Sequence, residues 1–193
     1  MRPVNAKPLL PLLLSLLLGI PALAQGPVEV PAFAAPDFDD SSWQTTILPP
    51  ADGTRPWPDG FNGVVWYRCT FELGNDMPTC FDEGSITLGE SDEGLRVFVN
   101  GQLARAHRSA RGIWYHRPRP LIFRHGTNHI AIEAPIENGE GGIPDQPPDH
   151  VRLWIAQAMH IVYADNHPCD SRVTDQWLFP LSGPWKYILI PSP

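Results

Sequence analysis

Apolar residues recur at every second position along one stretch of this 193-residue chain, from Val64 to Leu73. Successive side chains of a β-strand point to opposite faces, so a period of two produces one continuous apolar face. The stretch is therefore predicted to be a long strand. The side chains predicted to face the core are Val65, Tyr67, Cys69, Phe71 and Leu73.

The rest of the chain is interrupted too often for long helices. It contains 23 Pro and 16 Gly, and no window keeps the i, i+3, i+4, i+7 apolar pattern of a helix for more than a turn or two. Asn100-Gly101 predicts a type I′ hairpin turn, because both residues tolerate a positive φ. These features favour an all-β fold, an antiparallel β-sandwich. Further strands are predicted at Gln44–Leu48, Ser85–Leu88, Leu95–Val99, Gln102–Ala106, Asn128–Glu133, Val151–Ile155, His160–Tyr163 and Trp185–Ile190. Pro49-Pro50 should end the first of these, an edge strand, because proline cannot donate to a ladder.

The first 24 residues have the pattern of a secretory signal peptide. Arg2 and Lys7 give a positive start, an apolar run follows, and Ala22-Leu23-Ala24 is a small-residue cleavage site. The apolar run is too short and too interrupted by Pro11 to predict a membrane span. We expect a secreted or periplasmic protein with a linker at residues 25–36 and one domain at residues 37–193.

The charge balance restricts the classes of partner. The formal net charge is −7, and two of the cations lie in the predicted signal peptide. Nucleic acids and anionic membrane surfaces select clusters of Lys and Arg, which this chain lacks. A neutral or cationic ligand is favoured.

Three cysteines enter an oxidising compartment if the chain is exported, so one disulfide and one free thiol are expected. Cys69 falls on the apolar face of the long strand and is predicted to be a core residue. Cys80 and Cys169 lie in loop-like, Pro-flanked sequence and are the favoured pair, although other pairings stay open.

Six segments in a fixed order carry a resemblance to a known family. Together they are similar to the galactose-binding-like jelly roll of family 2 glycoside hydrolases, and to the domain inserted in bacterial sialate O-acetylesterases. In both enzyme groups the catalytic residues belong to another domain, so the resemblance implies a sandwich that does no chemistry alone. The segments are Asp39–Trp43, Gly63–Arg68, Leu88–Asp92, Val97–Gly101, Gly126–Ile132 and Leu181–Tyr187.

No set of residues predicts catalysis, a metal site or a cofactor. Gly89-Glu90-Ser91 imitates the nucleophile block of an esterase, but its position predicts a structural turn. Acidic residues are plentiful in turns, without a pair that points to glycoside hydrolysis. His125 and His129 flank a Gly turn and lack the spacing of metal ligands. A structural Ca²⁺ is compatible with this fold class, but no motif indicates one.

Binding is the better hypothesis. Aromatic side chains on loops stack on the apolar faces of pyranose rings, and the matching loops of family 2 glycosidases reach toward the sugar pocket. The resemblance therefore implies a binding rim in these segments. The candidate ligand-binding residues are Trp57, Phe61, Asn62, Trp114, Tyr115, Asn138 and Glu140.

The resulting hypothesis is an exported, non-catalytic carbohydrate-binding or accessory module, whose expected partners are a carbohydrate or glycoconjugate and a separate hydrolase or receptor. One alternative is an extracytoplasmic ligand-sensing or protein-assembly module. A second alternative is a fragment of a larger hydrolase.

Overall fold

A computed structural model describes residues 31–50, 53–75, 83–89, 94–108, 114–117, 122–162 and 168–193. Its strands form two antiparallel sheets, which confirms the predicted all-β sandwich. The strands are β1 Gln44–Leu48, β2 Gly63–Leu73, β3 Glu83–Leu88, β4 Arg96–Val99, β5 Gln102–Leu103, β6 Arg105–Arg108, β7 Trp114–Arg117, β8 Gly126–Glu137, β9 Glu140–Gly141, β10 Val151–Val162, β11 Pro168–Pro180 and β12 Gly183–Pro191. Two single-turn 3₁₀ helices cover Ala32–Ala34 and Pro148–His150.

One sheet has seven strands in the order β1-β12-β2-β8-β4-β5, with β9 paired to β8. The other has five strands in the order β11-β10-β3-β7-β6. The predicted edge strand is confirmed, because β1 lies at the end of the larger sheet, beside β12, and ends just before Pro49. Within the described part of the chain, no helix is long and apolar enough to cross a membrane.

The period of two in β2 is confirmed by its burial. Val65, Tyr67 and Leu73 are almost fully buried between the sheets, and Cys69 and Phe71 pack against them. Opposite them, β3 and β10 contribute Ile86, Leu88, Val151 and Leu153 to the same core. Removal of these side chains from water supplies the main driving force for pairing the two sheets.

The Asn100-Gly101 turn also forms as predicted, with φ values of 46° and 80°. The predicted strand Gln102–Ala106 is wrong, because the chain changes sheets within it. β5 pairs with β4 in the larger sheet, whereas β6 pairs with β7 in the smaller one. Ala104 lies buried between the two short strands, and its N–H donates to Val97 O.

The two strands predicted at Val151–Ile155 and His160–Tyr163 are one strand, β10. Its pairing with β11 contains register shifts between Gln157 and Ala158 and between Met159 and Ile161. Such shifts insert extra residues into one strand and break the alternation by which a strand is identified in sequence. β7 and β11 were not predicted.

The outer face of the larger sheet is covered by an N-terminal segment, residues 31–43. Phe33 sits at its centre, with its ring centroid 5.2 Å from that of Phe38 and 5.5 Å from those of Trp43 and Trp66. The first part of β2, residues 63–68, is thus covered on both faces, whereas Thr70 and Glu72 further along the strand are exposed. Phe33 and Ala34, which pack here, lie inside the stretch expected to be a linker.

Candidate ligand-binding site

A pocket of about 280 Å³ opens at one end of the sandwich. It lies where the β1–β2 loop (residues 49–62), β9 and the segment that follows β9 (residues 142–147) meet. Antiparallel connectivity brings them together, because β2 begins at the end of the sheet where β8 stops. The lining residues are Pro50, Gly53, Thr54, Arg55, Trp57, Glu140, Gly141, Ile143, Pro144 and Asp145.

Hydrogen bonds join the β1–β2 loop to the turn between β8 and β9. The N–H of Asn138 donates to Asn62 Oδ1 at 2.8 Å, and the N–H of Gly139 donates to Phe61 O at 2.8 Å. The carbonyl of Gly139 accepts from Trp57 Nε1 at 2.9 Å and from Arg55 Nη1 at 2.5 Å. The N–H groups of Asn138 and Gly139 and the carbonyl of Gly139 therefore all bind the β1–β2 loop, and these bonds hold the wall of the pocket in place.

Glycine is required at two positions of this wall. Gly139 has φ of +80°, and a Cβ there would lie 2.9 Å from Gly60 N. Gly142 has φ of +79°, and a Cβ there would lie 2.9 Å from Cη2 of Trp57. The left-handed conformation and the close approach both exclude larger residues.

Trp57 is the buried wall of the pocket. It was expected as an exposed stacking platform, and that expectation is wrong, because only 7% of the residue is exposed. The indole belongs to the main core, while part of its edge reaches the pocket. Phe61 is half-buried and packs against the same core, so it too acts mainly as support.

Arg55 and Glu140 form the polar rim. Arg55 Nη2 lies 3.0 Å from Glu140 Oε2, and the side chains are 44% and 76% exposed. The hydrogen bond and charge of Arg55 lower the pKa of the Glu140 carboxyl, which keeps it ionised near neutral pH. The pair contributes little to stability at such exposure, but it places a donor and an acceptor side by side.

Asp145 is the second carboxylate of the pocket. Its Oδ2 accepts from the N–H of Gly53 at 3.2 Å, and the residue is exposed. Among the described residues of the lining, the ionisable groups are one cation, Arg55, and two anions, Glu140 and Asp145. The pocket therefore carries an excess of one negative charge.

The structure brings five of the seven predicted residues together at this end of the sandwich, and separates two. Trp57, Phe61, Asn62, Asn138 and Glu140 are joined by the contacts above. Trp114 and Tyr115 were expected on the same rim, but their backbone forms β7, which pairs with β3 and β6 in the other sheet.

Arg55 and Asp145 were missed as site residues. Arg55 is the only cation between residues 51 and 62, a signal that the sequence does carry. Asp145 had no such signal, because it is one of many acidic residues in turns. Its place in the pocket depends on the path of the chain after β9.

Several predictions concern residues beyond those described. Ser91 and Cys80 lie outside the described residues, and the Cys80–Cys169 pairing stays a prediction. Cys69 is a free cysteine, and burial raises the pKa of its thiol.

Among the described residues, no three His, Cys, Asp or Glu side chains lie close enough to hold a metal ion.

A second recess, of about 250 Å³, lies between the N-terminal segment and β12. It is lined by Ser42, Trp43, Gln44, Tyr187, Ile188 and Leu189. Tyr187 donates its hydroxyl hydrogen to Gln44 Oε1, which fixes the floor. None of the predicted binding residues lies here, and the recess has no charged side chain.

No protein-family model matches the chain, and no curated protein does either. Among solved structures, the chain is similar to Bacteroides uniformis beta-glucuronidase 2, determined with cyclophellitol-6-carboxylate aziridine bound covalently. The TM-score is 0.45 and the sequence identity 14%, over 84% of this chain and 26% of that chain. The chain thus spans about a quarter of the length of that enzyme.

Proposed function

We propose that this protein is an exported, non-catalytic module that binds a carbohydrate in the pocket at Arg55, Trp57 and Glu140. The observation that carries the proposal is the paired rim above an apolar wall. Arg55 donates hydrogen bonds and Glu140 accepts them, with 3.0 Å between the paired atoms. A sugar hydroxyl is both donor and acceptor, so neighbouring hydroxyls fit such a pair.

The shape and lining of the pocket support the same class of ligand. Binding pockets for small molecules start at about 300 Å³ and combine apolar walls with a few fixed polar groups. At about 280 Å³, this pocket suits one sugar ring rather than a long chain. Trp57, Ile143 and Pro144 supply apolar surface for the C–H groups of a ring.

The rim is held in place before a ligand arrives. Arg55 contacts Gly139 and Glu140, and the turn that carries them is joined to Asn62. Fixing these groups in the folded protein reduces the entropy lost on binding. No triad, metal ligand or assigned pair of catalytic carboxylates enters the proposal, which is a binding function alone.

The test is binding of the exported protein to a broad glycan array, beside Arg55→Ala, Glu140→Gln and a control, Arg105→Ala on the exposed strand β6. Each rim variant should weaken the selected glycan about tenfold, as expected for loss of one charge-assisted hydrogen bond. The control should bind as the parent does. A glycan bound equally by all four proteins would place the site elsewhere, and the absence of any bound glycan would refute the function and favour a protein partner.

A further inference from the structure

We propose that Asp145 makes this pocket selective for sugars that carry a free ammonium group, such as 2-amino-2-deoxyhexoses, over their N-acetylated and carboxylated counterparts. The inference rests on the proposed carbohydrate-binding function and names the ligand class of the same pocket. It follows from the balance of charges in the lining.

Arg55 can bind an anionic ligand only at a cost in free energy. Its guanidinium already lies 3.0 Å from the Glu140 carboxylate and 2.5 Å from the Gly139 carbonyl. A ligand carboxylate would have to displace Glu140 or accept repulsion from it. The described residues of the pocket therefore do not supply the uncompensated cation that recognition of a uronic acid needs.

Asp145 is in the opposite situation. The backbone N–H of Gly53 is its hydrogen-bond donor, and no ion pair joins it to a cation within the part of the chain that the structure describes. Its carboxylate is exposed at the pocket wall, where the net charge of the lining is negative. A ligand ammonium placed against it gains an ion pair, and a neutral amide gains only a hydrogen bond.

The charge of the whole protein acts in the same direction. At a formal net charge of −7, long-range attraction accelerates the approach of cations and slows that of anions. Most of the discrimination still comes from contact distance, because salt screens exposed charges beyond about 10 Å. A preference of about fivefold for the amine is expected at low ionic strength from one exposed pair.

The experiment is calorimetric titration of the full exported protein with methyl glycosides of hexosamine, N-acetylhexosamine and hexuronic acid, in both gluco and galacto configurations. We expect the hexosamine glycoside to bind most tightly, the N-acetylhexosamine glycoside less tightly and the hexuronic acid glycoside least tightly. The preference for the amine should fall to about twofold or less in Asp145→Asn, with N-acetyl binding retained. In Asp149→Asn, an exposed control outside the pocket, the preference should be unchanged.

Glu140→Gln provides a second, independent variant. It leaves Arg55 without its carboxylate, so uronate binding should strengthen relative to the parent. Equal affinities for the three glycosides, or a preference for the amine that persists in Asp145→Asn, would overturn this inference and leave the carbohydrate function standing. The absence of binding by every glycoside would refute both, and thermal unfolding of each variant verifies that it is folded.

Discussion

The side chains of Asn100 and Asn128 are hydrogen-bonded to each other, with 2.9 Å between Asn100 Nδ2 and Asn128 Oδ1. Asn100 lies in the turn that follows β4, and Asn128 lies near the start of β8. The two residues are close together because β4 pairs with β8 in an antiparallel register. Asn128 is fully buried, and it also contacts the backbone of Arg124 and Gly126. Asn100 Oδ1 in turn accepts from the N–H of His129 at 2.9 Å. The buried amides thereby fix the register of the two strands.

Asn128→Ala should lower the free energy of unfolding by about 3 kcal/mol, because it removes the partner of partly buried backbone groups of Arg124 and Gly126 and of the Asn100 amide. Urea denaturation measures the change. Asn75→Ala, on an exposed turn, is the control and should change stability by less than about 0.5 kcal/mol. Equal effects of the two substitutions would contradict the role given to the buried amides.

His116 should make the protein sensitive to acid. The residue is 2% exposed, neither ring nitrogen has a hydrogen-bond partner among the described residues, and burial lowers its pKa from 6.5 to about 4. The folded state thus favours neutral imidazole, and the unfolded state binds the proton more readily. The contribution of this group is fully present above the unfolded pKa and is lost as pH falls toward the folded one, by about 2 kcal/mol at pH 5.

Urea unfolding near neutral pH and near pH 5 measures this loss for the parent protein and for His116→Leu. The variant should lose less stability on acidification by about 2 kcal/mol. The control is His150→Gln, at an exposed residue, which should lose as much stability on acidification as the parent does. An acid response of His116→Leu identical to that of the parent would show that the buried imidazole is not responsible.

Arg68 should anchor the N-terminal segment. It is 2% exposed, and its Nε donates to Asp40 Oδ2 at 2.8 Å while Nη1 donates to the carbonyls of Phe33 and Ala35. Arg68→Met removes these donors and leaves Asp40 without its partner, which should cost about 3 kcal/mol. Hydrogen exchange should accelerate in residues 31–43 first. Arg105→Met on β6 is the control, and unchanged exchange in Arg68→Met would contradict the anchoring role.

Trp57→Ala should unfold the pocket rather than report on binding. Its indole is buried in the core and hydrogen-bonded to Gly139, so the substitution should cost about 3 to 5 kcal/mol. Leu178→Ala, at a residue that is 57% exposed, should change stability by less than about 0.5 kcal/mol. Thermal unfolding separates the two, and full stability of Trp57→Ala would show that the ring is not part of the core.

The cysteines should differ in reactivity. Burial raises the pKa of the Cys69 thiol, so little thiolate forms and alkylation should be slow until the protein unfolds. Non-reducing peptide mapping of protein produced in an oxidising compartment should link Cys80 to Cys169 and leave Cys69 free. Rapid native alkylation of Cys69, or a linked peptide that contains it, would contradict the prediction.

Much of the fold was predictable because it depends on local patterns. The alternation around Val65 and Tyr67 identified β2, Pro49 marked the end of β1, and Asn100-Gly101 identified the hairpin. The boundary between β5 and β6 was not predictable, because the polar residues of both strands suit either sheet. The same holds for β10, where register shifts break the alternation.

Local sequence patterns predict that strands alternate with turns and that the loops around Trp57 and Glu140 carry aromatic and polar side chains. Which of these groups share a pocket depends on the packing of distant segments. Trp57 is buried because the turn at Gly139 covers it and accepts its N–H, and Asp145 faces Arg55 and Glu140 because the chain after β9 returns to the β1–β2 loop. Burial and proximity of this kind depend on contacts between residues about 80 positions apart, and no local pattern encodes them.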